Sequence, residues 1–217
     1  FCQDKIITTG GEGGMVATDD HDLWQRVWSI KDHGKSWAAV YEREHPPGFR
    51  WLHESFGSNF RGTEVQAAIG RIQYRRLDDW RADRTRNAIA LADLLAGVPA
   101  VTVPMPDASA THAYYRQYAY LDVDRLAPGW TRDRVLGEVS RRQPIPVLTG
   151  SCSEIYREVA FETAAWLAQR PLLQAEAMSE RGVAFLVHPG LTLDDMAQQA
   201  GALADVLSEA LDGGLAP

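Results

Sequence analysis

A chain of 217 residues, 45% hydrophobic and 24% charged, has the composition of an ordinary globular protein and is long enough to bury a core in one large domain or two small ones. Its formal charge of −7, with no long basic run, argues against nucleic acid as the main partner, because such binding leans on phosphate neutralisation. No apolar stretch approaches the ~20 residues of a membrane span and no basic-then-apolar leader opens the chain. Two cysteines, Cys2 and Cys152, suit a reducing compartment, so a cytoplasmic protein without disulfides is expected; six histidines without His-Glu-x-x-His spacing give no metal site.

The first stretch holds the densest chemical signal. Lys5 stands just ahead of Thr8, Thr9 and four glycines, Gly10, Gly11, Gly13 and Gly14. Such a cluster lets the backbone take positive φ and lets another group approach closely. Two chemistries suit a lysine there: a point charge on a phosphate, or an amine nucleophile forming a Schiff base, neutral when it attacks. A surface lysine before a glycine turn is the plain alternative. The stretch is not a P-loop, because no Gly-Lys-Ser/Thr follows the glycines, and not a dinucleotide fingerprint, because the third glycine is missing.

Met15 to Thr18 reads as a short buried strand. Asp19 or Asp20 is placed to cap a helix whose face is Leu23, Trp24, Val27, Trp28 and Ile30, ending near Gly34. Residues 34 to 60 read as irregular, with Pro46-Pro47-Gly48 as breaker. A long helix opens near Thr63 and runs to Gly97, its apolar positions being Val65, Ala68, Ile69, Ile72, Leu77, Trp80, Ile89 and Leu94. Arg75, Arg76, Arg81, Arg84 and Arg86 interleave with Asp78, Asp79 and Asp83 and read as a solvated face with local ion pairs. Beyond it, Tyr114 to Val123 suits a strand. Thr131 caps a helix to about Arg141, and Pro144 to Val147 is extended. Leu172 to Arg181 is helical and Val183 to Val187 a buried strand. Thr192 with Asp195 makes a capping box for a final helix whose face runs from Met196 to Leu211.

Four stretches in this order, Phe1-x-x-x-Lys5-x-Ile7-Thr8-Thr9-Gly10-Gly11-Glu12-Gly13-Gly14-Met15, Gly57-Ser58-Asn59-Phe60-Arg61-Gly62-Thr63-Glu64 with its continuation to Gly70, Gly150-Ser151-Cys152-Ser153-Glu154-Ile155-Tyr156 and His188-Pro189-Gly190-Leu191-Thr192, resemble the DegT/DnrJ/StrS sugar aminotransferases. Two departures stand out: one glycine more in the first loop, and Gly62 where methionine is usual. The resemblance implies an α/β fold, the C-terminal part of a type I pyridoxal-phosphate aminotransferase. Residues 1–97 would end the large domain with its connecting helix, and 98–217 would form a small α+β domain. The serine that bonds the cofactor phosphate and the aspartate that pairs with the pyridine nitrogen lie, in that family, ahead of the segment matched by Phe1.

By the same resemblance, Lys5 forms the Schiff base with pyridoxal 5'-phosphate and moves protons. Asn59 reaches the cofactor phosphate of the neighbouring subunit in a homodimer with shared sites. Arg61 is offered as a phosphate or carboxylate contact, with a salt bridge to a nearby acid as the equal alternative. Thr8, Thr9 and Glu12 shape the loop. The expected reaction moves an amino group, from glutamate as donor, to a keto sugar linked to a nucleotide. The alternatives are a dehydratase or cyclitol aminotransferase of the same family, or an incomplete fragment acting as a binding or assembly partner. Gly150 to Glu154 also looks like a nucleophile turn, but no Ser-His-Asp set accompanies it. His112 and His188 read as hydrogen-bonded structural histidines.

Overall fold

A computed structural model describes residues 1–162 and 172–211; residues 163–171 and 212–217, within the expected 98–217 domain, lie outside the described residues. The chain forms two compact units, Phe1–Leu77 and Asp78–Pro217.

The first unit opens with the glycine loop and continues into α1 (His21–Lys31). Asp20 is the cap, its carboxylate accepting from the Leu23 N–H at 3.0 Å. The loop closes on itself through Phe1 and Gly13, which exchange two backbone bonds of 2.7 and 2.8 Å. Met15 to Thr18 is neither a strand nor buried: Met15 is 79% and Val16 63% exposed. A strand needs a neighbour to satisfy its N–H and C=O groups, and this run pairs with none of the described residues.

Residues 34 to 60 are mostly irregular, but they are tied down. A short helix, α2 (Trp37–Tyr41), is capped by Ser36. Its Trp37 ring stacks edge-on against Trp24 and Trp28 of α1 at 5.0 and 5.3 Å, so the tryptophans pack among themselves half-buried. The return leg of the loop is sewn to the end of α1: Ser58 N–H donates to Ile30 C=O, His33 N–H to Ser58 C=O and Phe60 N–H to Lys31 C=O, at 2.9 to 3.1 Å.

Two glycines allow this approach. Gly34 sits at φ +86°, and a Cβ on it would lie 1.9 Å from the Ser55 carbonyl oxygen; a Cβ on Gly57 would lie 2.4 Å from the Gly34 nitrogen. The atoms in the way are backbone and cannot swing aside. Gly57→Ala is therefore expected to cost about 3 kcal/mol or more. Gly137→Ala, in a helix interior with open space around the new methyl, should stabilise by about 0.5–1 kcal/mol. Urea denaturation of the two variants checks the pair; equal midpoints would refute the reading.

Helix α3 (Glu64–Arg75) begins in a full capping box, Thr63 with Gln66. The long helix expected from residue 63 to 96 is in two pieces: at Arg76 the backbone N–H turns to Gln73 C=O, and α4 (Leu77–Leu95) starts one residue later. Ala88, Leu91 and Leu95 of α4 are fully buried in the core of the second unit. The connecting helix, expected to close the 1–97 domain, thus gives its C-terminal half to the core of the second unit.

That core is built on a four-stranded antiparallel sheet in the order β1-β2-β4-β3, with β1 (Val101–Thr102), β2 (Gln117–Leu121), β3 (Val147–Leu148) and β4 (Gly182–Phe185). Alternation in β2 buries Gln117, Ala119 and Leu121, whereas all of β4 is buried, as befits a central strand covered on both faces. Helices α5 (Arg132–Arg142) and α7 (Leu193–Leu211) pack together, α5 also against β3 and β4, and α6 (Leu173–Arg181) against β2. Thr131 caps α5, and the Thr192–Asp195 box opens α7 with bonds of 2.7 and 3.2 Å. Met196, Ala200, Leu203, Val206 and Leu207 of α7 meet Phe185, Val135 and Leu121 in the interior.

Candidate active site

The Lys5 loop and the Asn59 segment, far apart in sequence, come together in the first unit. A cleft of about 600 Å³ is lined by Phe1, Thr9, Gly13 and Gly14 on one side and by Asn59, Arg61 and Gln66 among the residues on the other. Gln66 joins the two sides. Its side-chain oxygen accepts from the Thr63 N–H at 3.0 Å as part of the cap, and its amide donates to Glu12 C=O at 3.1 Å. Below this link the loop lies on α3: a Cβ on Gly10, at φ +78°, would meet Ile69 at 2.9 Å, and one on Gly70 would meet Thr9 at 3.0 Å. The two threonines shape the loop as expected, Thr8 Oγ1 accepting from Gly10 N–H and Thr9 Oγ1 donating to Gly11 C=O.

Asn59 sits on the cleft wall with its carbonyl oxygen fixed. Arg61 donates to Asn59 Oδ1 through Nε at 2.9 Å. A guanidinium only donates, so the atom it faces is the amide oxygen, and the Asn59 NH2 points away from it as a donor. Arg61 is itself held. Its Nη1 lies 3.5 Å from Asp32 Oδ1 and its Nη2 donates to His33 Nε2 at 3.2 Å, which sets that ring nitrogen as the acceptor. Lys35 donates to the same Asp32 oxygen at 3.3 Å. Burial works to raise the Asp32 carboxyl, but the Lys35 hydrogen bond and the Lys35, Arg61 and Lys31 charges outweigh it, and the group stays below the usual carboxylate range. Arg61 thus makes the salt bridge to a nearby acid that was offered for it.

Lys5 lies at the foot of the glycine loop, outside the residues that line the cleft. Its Nζ is 3.2 Å from Asp4 Oδ2 and its side chain is half-exposed. The structure thus brings Asn59, Arg61 and the loop glycines together, and leaves the amine at the edge of the loop.

Asp32, His33 and Gln66 were not singled out from the sequence. The Thr63-x-x-Gln66 capping spacing was the one available signal. Two other histidines make local backbone hydrogen bonds: His112 Nδ1 accepts from Tyr114 N–H at 2.9 Å and His188 Nδ1 from Gly190 N–H at 3.2 Å. Burial, then the Arg84 charge, lowers the His188 pKa, with Asp195 opposing. Arg84 is not part of a solvated face: it is buried and donates to Tyr114 and Tyr115 C=O, both at 3.1 Å. Among the described residues no cluster of three metal-ligating side chains occurs, and no helix is long and apolar enough to cross a membrane.

A model of the DegT/DnrJ/EryC1/StrS aminotransferase family matches residues 1–204. GDP-perosamine synthase of Caulobacter vibrioides is 30% identical over 211 residues, 95% of this chain and 51% of that protein. The dTDP-3-amino-3,4,6-trideoxy-alpha-D-glucose transaminase of Streptomyces venezuelae is 32% identical over 105 residues, 48% of this chain and 24% of its own length. Among solved structures, an aminotransferase from Psychrobacter cryohalolentis superposes with a TM-score of 0.86 at 46% identity, covering 97% of this chain and 55% of that one. The chain thus spans about half the length of the relatives it matches end to end, and over that half it has their mixed helix-and-sheet fold.

Proposed function

The chain belongs to the DegT/DnrJ/EryC1/StrS aminotransferase family, and from that premise we propose that the protein is a pyridoxal-phosphate-dependent sugar aminotransferase, taking its amino group from glutamate and delivering it to a keto sugar carried on a nucleotide. The observation that supports the reading is the exposed Asn59 side chain, whose oxygen is held by the Arg61 Nε–H at 2.9 Å, which leaves its NH2 as the donor for a phosphate of a neighbouring subunit. A phosphate ester asks for such donors. The start of α3 adds the positive end of a helix dipole beside them. Two relatives whose names carry GDP- or dTDP-linked sugars support the nucleotide-linked substrate.

Pyridoxal phosphate, when bound, supplies the electron sink on which amino-group transfer depends. Lys5 is the residue that would hold it, through Nζ, and the same nitrogen would serve as the base that moves the proton at the substrate carbon. Lysine rather than histidine at this position supports transamination over dehydration. Asn59 belongs, on this reading, to the site of a second subunit in a homodimer. Phe56, Phe60 and Val65, which flank Asn59 and are 69% exposed or more, supply the apolar surface that such an interface needs. Two unpaired cysteines agree with a cytoplasmic setting.

The test is a screen of the full-length protein with glutamate and nucleotide-linked keto sugars, following formation of the amino sugar and of 2-oxoglutarate. Failure with every nucleotide-linked sugar, alongside turnover of a cyclitol ketone, would replace the substrate class.

A further inference from the structure

Asn59 can serve a phosphate only if its amide keeps one orientation. A free side-chain amide flips between two nearly isosteric states, and only one presents N–H. Two donors of Arg61 select that state here, its backbone N–H at 3.4 Å and its Nε–H at 2.9 Å, and the shorter bond is aimed by a chain of charge leading back to α1. Asp32 is the C-cap residue of α1, 9% exposed, and its carboxylate meets two cations, Lys35 at 3.3 Å and Arg61 at 3.5 Å. The guanidinium drawn to it keeps its Nε–H over Asn59 Oδ1. The backbone holds the same geometry, since Asp32 and Asn59 form a bridge pair.

Resting on the aminotransferase reading above, the geometry points to Asp32 as a positioning residue for the phosphate site. It anchors Arg61, and Arg61 in turn fixes the Asn59 amide with its donors outward. Arg61 itself is occupied and is not the phosphate ligand. The contact with phosphate is left to a neutral amide. Removing the Asp32 charge frees the guanidinium and leaves the amide oxygen only its longer bond to the Arg61 backbone, so the amide flips more readily and the preference for a phosphorylated ligand weakens.

The test uses the full-length protein and two probes, pyridoxal phosphate and pyridoxal, titrated by absorbance to give the ratio of the pyridoxal dissociation constant to that of pyridoxal phosphate. Asn59→Ala should lower that ratio about tenfold, the scale of a charge-assisted hydrogen bond. Asp32→Asn, nearly isosteric, should lower it by a similar factor, and Asn59→Ala added to Asp32→Asn should lower it no further. Arg61→Lys keeps a charge for Asp32 but has no Nε–H for Asn59, so it should give the same loss even if Asp32→Asn fails to fold. Unchanged pyridoxal affinity separates these effects from general damage. A ratio that stays level or rises in Asp32→Asn and Arg61→Lys, or falls independently of Asn59, overturns the positioning role while leaving the phosphate site standing. No effect of Asn59→Ala itself overturns the phosphate site, and the positioning role with it.

Discussion

Lys5→Ala should keep the fold and lose transamination by at least ~10²-fold, the lower end of what a positioned proton-transfer group contributes. The fold survives because the Lys5 side chain is half-exposed, so truncation opens no cavity. Turnover does not, because one nitrogen both holds the cofactor and moves the proton. The companion measurement is borohydride reduction of the cofactor-loaded full-length protein followed by peptide mapping, which should find the mark on Lys5. Lys31 and Lys35 are the nearby competitors and are differently employed. Lys31 lies over the Trp28 ring at 5.5 Å, and Lys35 has a side chain 13% exposed, bonded to Asp32 and stacked on Phe49. A mark on either, or steady turnover by Lys5→Ala, would remove Lys5 from the mechanism.

What could be read from the sequence was what the chain settles locally. Thr131 and Thr192 were identifiable as caps, and Asp20 as one of two candidates, because each reaches an N–H within three residues of itself. The face of α7 was identifiable because its periodicity matches a core that takes one side of it. The errors share a cause, which is that distant partners decide. Met15 to Thr18 has the composition of a strand but pairs with none of the described residues. Arg84 sits among arginines and aspartates that do form surface pairs, such as Arg86 with Asp83 at 2.6 Å. It is buried all the same, because the carbonyls it serves lie 30 and 31 residues away. The apolar spacing runs straight through Arg76, so periodicity gave no sign of the interruption between α3 and α4.

The candidate site divides in the same way. Lys5 and Asn59 were found through the resemblance and the glycine loop, both of which are written in contiguous residues. The link that seats the loop against α3, Gln66 to Glu12, spans 54 residues. The clamp on Arg61 joins it to a histidine 28 residues earlier. Asp32 looked like an ordinary residue at a helix end. Only the return of the chain through Gly57, against a Gly34 that has no Cβ, makes it the anchor of the site.

Mixing inactive Lys5→Ala with Asn59→Ala protein should restore activity to roughly a quarter of the wild-type level. The figure comes from two-fold symmetry. Equal mixing with free exchange makes about half the dimers mixed, and each mixed dimer has one intact site of two. In that site Lys5 comes from the Asn59→Ala chain and Asn59 from the Lys5→Ala chain, while the other site carries both lesions. The assay is run with pyridoxal phosphate below the dissociation constant of the Asn59→Ala parent, so that this parent is silent when alone. Asn59 is placed for such a role, exposed on the cleft wall between Ser58 and Phe60, with apolar Phe56, Phe60 and Val65 open around it. Subunit exchange is verified separately with differently tagged chains. If the tags exchange and no activity returns, Asn59 serves the site of its own chain or none, and the shared-site dimer is abandoned. If activity returns, the donor that meets the phosphate and the amine that holds the cofactor belong to different subunits. Each cleft then depends on its neighbour for half of its grip.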